Sequence, residues 1–168
     1  MTDTIRILGI DPGLRHTGWG IVERTGSRLS HIDHGVIKPD AKAALAQRLA
    51  HIYRSVEDLL DQFRPDAAGV EETFVNAGPQ SALKLGQARG AAMAAIACFG
   101  TPVAEFAPRR IKLAIVGTGA AEKDQVAFMV GRLLPKAGKM TSDSADALAC
   151  AICTAHHLPS DLIRKGAA

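Results

Sequence analysis

Two apolar runs in this sequence end on carboxylates. TIRILGID closes on Asp11 and is followed at once by Pro12 and Gly13, and AAGVEE closes on Glu71 and Glu72. Further along, SDSAD sets Asp143 and Asp146 three residues apart, so that on a helix both carboxylates share a face. Asp-Pro-Gly by itself is ordinary turn chemistry, with Pro presetting φ and Gly accepting positive values. Taken singly, Asp143 and Asp146 also suit the dipole of a helix N-terminus, and Glu71 or Glu72 a strand end at solvent. Taken together, acids at two strand ends and one helix start favour a common pocket.

Neighbouring carboxylates raise one another's pKa and oppose joint ionisation unless a cation neutralises them. Oxygen-only ligands select Mg²⁺ or Mn²⁺ over zinc, and Mg²⁺ keeps water positions open for a substrate's phosphates. Asp11, Glu71, Asp143 and Asp146 are therefore candidate metal ligands acting on a phosphate-bearing substrate.

The elements that must bring these acids together follow from periodicity. TIRILGID, TGWGIVER and RLSHIDHGVIK read as three antiparallel strands, and Leu45, Leu49, Ile52, Val56, Leu59, Leu60 and Phe63 recur at helical spacing up to Arg64-Pro65. Ala67 to Glu71 reads as a fourth strand, parallel to a neighbour because it returns after a helix. SALKLGQARGAAMAAIACFG is a helix, TPVAEFAP a fifth strand, and EKDQVAFMVGRLL and SDSADALACAICTAHHL the two closing helices. The order β-β-β-α-β-α-β-α-α predicts an α/β fold with a mixed five-stranded sheet, three antiparallel strands then parallel ones, flanked by helices. Ligands of such sheets bind at the carboxyl ends of the strands, where Asp11 and Glu71 lie.

With 168 residues the chain fits one domain, taken as 1–158 with a short tail over 159–168. Hydrophobic content of 47% is that of a globular chain, and Ile5–Ile10 is too short for a membrane span or signal-peptide core, so a cytoplasmic location is expected. The three cysteines make an odd count that argues against a disulfide framework. Cys150 and Cys153, a CxxC inside ADALACAICTA without a second ligand pair, read as buried thiols. Between Leu83 and Met140, nine Lys or Arg face three acids, a basic middle that suits a polyanionic ligand as well as a solvated surface.

GIDPGLRHTGWGIVE, VEETFVN, SALKLGQARGAA, FAPRRIKLAIVGTGAAEKDQV and SDSADALACAI, in order over nearly the whole chain, resemble the RuvC family of bacterial Holliday junction resolvases. LGIDPG alone is shared with other RNase H-like and actin-like openings; SALKLGQARG followed by AEKDQV is the specific part. Trp19 stands where the family pattern leads one to expect tyrosine.

The resemblance implies an RNase H-like fold, a homodimer, and paired symmetrical nicks in four-way DNA junctions. It implies two Mg²⁺ per subunit, with Mn²⁺ as a substitute, products carrying 5′-phosphate and 3′-hydroxyl ends, and the branch-migration proteins RuvA and RuvB as partners. It carries the catalytic and metal-binding roles onto Asp11, Glu71, Asp143 and Asp146, while strand alternation turns Glu72 away. It places Lys112 near the scissile phosphate, Lys123 as a second basic residue, and Phe74 against unstacked bases at the crossover. Gly86 and Gly90 form a GxxxG face that admits a close neighbour, either the same helix of a second subunit or another element of its own. A related nuclease acting on RNA and a catalytically silent junction-binding scaffold are the alternative readings.

Overall fold

The computed structural model describes residues 4–72 and 78–158. Strands β1 (Thr4–Asp11), β2 (Thr17–Thr25), β3 (Arg28–Ile37), β4 (Ala67–Glu71) and β5 (Val103–Phe106) form one sheet in the order β3-β2-β1-β4-β5. The β1–β2 and β2–β3 pairs are antiparallel and the β1–β4 and β4–β5 pairs parallel, as the sequence order predicts. The β2–β3 register shifts between Ile21, opposite Asp33, and Val22, opposite His31, which leaves Ile32 as a bulged residue.

Alternation along the strands divides the core. Leu8, Ile10, Ile21 and Val70 point to the face covered by α1 (Leu45–Phe63) and α2 (Pro79–Phe99), where Ile52, Val56, Leu60, Ala92 and Ile96 are buried. Ile5, Ile7 and Val22 point to the other face, against α3 (Pro108–Val116), α4 (Lys123–Leu133) and α5 (Ser142–His157). Each fully buried Leu or Ile stabilises the fold by roughly 1.5–3 kcal/mol. Helix α1 stops at Arg64, whose φ of 47° places it in the left-handed region and whose amide reaches the Leu60 carbonyl, just before Pro65 ends any continuation.

Helix α3 departs from the sequence reading, which runs directly from the fifth strand to EKDQVAFMVGRLL. Pro108 opens it at a position where the missing N–H costs nothing, Ile111 and Ile115 are buried one turn apart, and Gly117 closes it at φ 84°. A 3-10 turn over Pro135–Ala137 is likewise additional.

Helix α5 lies across the sheet on strand glycines. A Cβ at Gly9 would collide with the Ala147 carbonyl, one at Gly18 with the Asp143 carbonyl, one at Gly20 with Leu148, and one at Gly69 with Thr154. The helix answers with Ala145, Ala147, Ala149 and Ala151, all buried, so backbone meets backbone. Cys150 and Cys153 are buried within this helix, as expected of core thiols. No helix among the described residues is long and apolar enough to cross a membrane.

Candidate active site

Gly9 and Asp11 share a face of β1, and Gly69 and Glu71 share a face of β4, so the two carboxylates emerge on the side where α5 crosses. Parallel pairing of Ile10 with Val70 sets the next residues, Asp11 and Glu71, side by side. The turn after Asp11 is braced from within: the Thr17 hydroxyl donates to the Gly13 carbonyl at 2.7 Å and accepts from the Gly13 amide at 3.2 Å. Arg48 of α1 adds a bond from Nη2 to the Leu14 carbonyl at 2.9 Å. The Asp-Pro-Gly turn and the charged strand end are thus parts of one device.

The first turn of α5 is equally fixed. Ser144 N donates to Thr141 Oγ1 at 3.2 Å, and Thr141 N donates to Ser144 Oγ at 2.9 Å, a reciprocal cap. Asp143 and Asp146 project from that turn. Asp146, Asp11 and Glu71 line a cavity of about 260 Å³ together with Lys112 of α3, Lys123 of α4 and the apolar side chains of Ile111 and Val126. Asp143 does not line this cavity; it sits beside it, with Oδ2 3.7 Å from His16 Nδ1, yet its charge still bears on Asp11. Lys123 Nζ donates to Asp146 Oδ2 at 3.0 Å.

Electrostatics mark the cluster as short of positive charge. Burial, then the charges of Glu71 and Asp146, push the Asp11 carboxyl up to about 9, with hydrogen bonding toward Glu71 and the charge of Asp143 adding to the rise. Burial and Asp146 also raise Glu71, opposed by the bond from Asp11 and by Lys123 and Lys112. The hydrogen bond to Asp146 and its charge raise the Lys123 ammonium. An all-oxygen donor set whose members cannot all ionise together suits a hard divalent cation. Among the described residues no three His, Cys, Asp or Glu side chains close on one point as they stand, with Lys123 already bonded to Asp146.

The structure therefore brings together Asp11, Glu71, Asp146, Lys112 and Lys123 and sets Asp143 at the rim. Glu72 is absent from the cavity wall, and its amide donates to the Phe106 carbonyl at 2.9 Å. Phe74 lies outside the described residues. Sequence reasoning missed Arg48, His16 and the α3 wall. The one available signal was Pro108 followed by isoleucines four residues apart, which is a helix start.

A β3-β2-β1-β4-β5 sheet with acids at the ends of β1 and β4 and on the helix crossing them defines an RNase H-like nuclease domain. The family model described as crossover junction endodeoxyribonuclease RuvC matches residues 7–154. The RuvC of Hyphomonas neptunium is 66% identical over 168 residues, covering 100% of both chains, and that of Caulobacter vibrioides is 57% identical over 151 residues, covering 90% of this chain and 89% of its own. The solved structure of T. thermophilus RuvC in complex with Holliday junction substrate superposes with a TM-score of 0.84 at 36% identity, over 90% of this chain and 93% of that one. The chain belongs to the RuvC family of crossover junction endodeoxyribonucleases.

Proposed function

We propose that this enzyme resolves four-way DNA junctions by paired, symmetrical nicks, hydrolysing each phosphodiester in line to leave 5′-phosphate and 3′-hydroxyl ends. The observation that carries this reading is one cavity lined by Asp11, Glu71 and Asp146 together with Lys112 and Lys123. Asp11, Glu71, Asp146 and, from the rim, Asp143 would hold Mg²⁺, two ions per subunit, with Mn²⁺ as substitute. Bound there, the metal supplies an activated water and stabilises the leaving 3′ oxygen.

The protein's own residues do the rest. Asp11, on the central strand and next to a turn braced by Thr17, would present its carboxylate to the metal from a fixed backbone position. Lys112 and Lys123 offer ammonium groups to the scissile phosphate, and Phe74 is assigned to unstacked bases at the crossover. Residues 1–158 serve as the nuclease domain, 159–168 as a short tail, and a cytoplasmic enzyme working with RuvA and RuvB completes the reading.

The test is cleavage of a synthetic four-way junction, a linear duplex and an RNA hairpin, each with and without Mg²⁺. Symmetrical, Mg²⁺-dependent cuts confined to the junction support the reading. Preferred cleavage of the hairpin would replace it with an RNA nuclease, and binding without cleavage with a scaffold.

Lys112→Ala and Lys123→Ala are each expected to slow junction cleavage by roughly tenfold, less than loss of an acid. The salt dependence of junction binding should flatten in each, because fewer counterions are released. Rates equal to wild type across a salt series would make both ordinary surface lysines.

The homodimer is assigned to α2. Its buried residues are Ala88, Ala92, Ala95 and Ile96, and the opposite face carries Leu83, Gly86, Gly90 and Ala94, all exposed. Among the described residues, a Cβ at Gly86 or Gly90 would meet nothing within 4 Å, so packing against them does not require either glycine. A twofold dimer through this face gives each active site one of two equivalent strands. Gly90→Leu should yield a folded monomer by sedimentation that nicks without pairing its cuts. A variant that stays dimeric would move the interface elsewhere.

A further inference from the structure

The QARG stretch of α2 holds an arginine that the cleavage chemistry leaves without a task. Arg89 is partly buried, on the sheet face opposite the cavity. Its Nε donates to the backbone carbonyl of Glu71 at 3.3 Å, and its Nη2 is paired with the Glu105 carboxylate. Glu105 belongs to β5 and stands opposite Val70 in the parallel register, beside the last residue of β4. One guanidinium thus ties helix α2 to the ends of two strands, at the residue whose side chain enters the cavity.

We infer that Arg89, oriented by Glu105, is a positioning residue for Glu71, fixing the backbone from which that carboxylate reaches the metal. A guanidinium meets both acceptors at once because its donors are forked, whereas a lysine offers a single point charge on a flexible stem. Glu71 ends its strand, and Glu72 is already outside it. The Glu72 amide ties one side of the Glu71–Glu72 peptide to the Phe106 carbonyl, and Arg89 ties the other side, so loss of Arg89 leaves the peptide that carries the Glu71 side chain held on one side only. Partners that orient metal ligands typically change metal affinity or activity by about 10–100-fold when removed. The inference rests on the reading of Glu71 as a metal ligand.

The test measures metal binding apart from catalysis. Mn²⁺ is titrated into wild type, Arg89→Lys, Arg89→Gln and Glu105→Gln, with binding followed by loss of the free-ion electron paramagnetic resonance signal. Junction binding in Ca²⁺ and the Mg²⁺ concentration for half-maximal cleavage are measured alongside. Arg89→Lys and Arg89→Gln are expected to weaken Mn²⁺ binding by about tenfold or more and to raise the Mg²⁺ requirement in parallel, with junction binding unchanged. Glu105→Gln should fall between them and wild type. In a Glu71→Gln background, Arg89→Lys should weaken Mn²⁺ binding no further, whereas a merely structural role would leave metal affinity of the folded protein alone. Wild-type Mn²⁺ affinity in folded Arg89→Lys overturns the inference, and if Arg89→Gln does not fold, Arg89→Lys and Glu105→Gln decide. Failure of the wild type itself to bind Mn²⁺ overturns the metal-site reading, and the inference with it.

Discussion

Asp11→Asn is expected to abolish junction cleavage, leave junction binding intact and make the metal-free protein more stable. The first effect follows from removing a ligand charge worth several kcal/mol of transition-state stabilisation, about 10³-fold or more in rate. Binding survives because Asn keeps the volume and Lys112 and Lys123 still face the phosphate. The third effect follows from the proton on Asp11. Its carboxyl titrates at about 9 in the fold, against 3.8 ordinarily, because of burial first and then Glu71 and Asp146. The unfolded chain gives that proton up near the ordinary value and the folded chain keeps it, so wild-type stability falls as pH rises through the window between them. Asn removes this dependence. Calorimetry in EDTA should show the variant melting higher, by about 2–4 °C for each kcal/mol relieved in a chain of this size, with the gap widening from acid to alkaline pH. Added Mg²⁺ should reverse the order by stabilising the wild type alone. A variant less stable than wild type in alkaline EDTA would refute the account.

Gly18→Val tests how the fold sets the site. Its side chain would occupy the place of the Asp143 carbonyl, so the first turn of α5 must lift from β2 and carry Asp143 and Asp146 with it. Overpacking of this kind costs about 1–3 kcal/mol, and an ångström of misplacement is worth about 10²-fold in rate. The measurement is cleavage rate against melting temperature: a variant that remains folded at assay temperature yet cuts at least tenfold more slowly would separate site displacement from unfolding. Full activity in a folded Gly18→Val protein would mean that α5 does not take its depth from this contact.

The contrast between those positions shows what the sequence made legible. Asp11 and Glu71 stood out because an acid at the end of an apolar run conflicts with burial, and Asp143 and Asp146 because a spacing of three puts both on one helix face; both signals are local. The five strands and α1 were legible for the same reason, their periodicity being carried by neighbouring residues. The bed of Gly9, Gly18, Gly20 and Gly69 was not, because its meaning arises only when β1, β2 and β4 lie together under α5. Helix α3 was hidden by its nine residues, too few to establish a period, and by Pro108, which ends one element and opens the next. The rim position of Asp143 was equally beyond reach. Spacing of three residues shows that two acids share a face, but not which of them the sheet turns toward the cavity.

The bulge at Ile32 has a consequence for the outer margins of the sheet. β3 and β5 are the terminal strands in the order, and an unpaired row of amides and carbonyls there would template addition of a further strand. β3 answers with the bulge and with Arg28, His31, Asp33 and His34 along its length, and β5 offers only four residues. Such margins discourage a continuous sheet across two molecules, in solution or in an aggregate. A dimer of the kind proposed would then be built from side chains on helices, a mode of contact that can dissociate and re-form without any backbone ladder having to be broken.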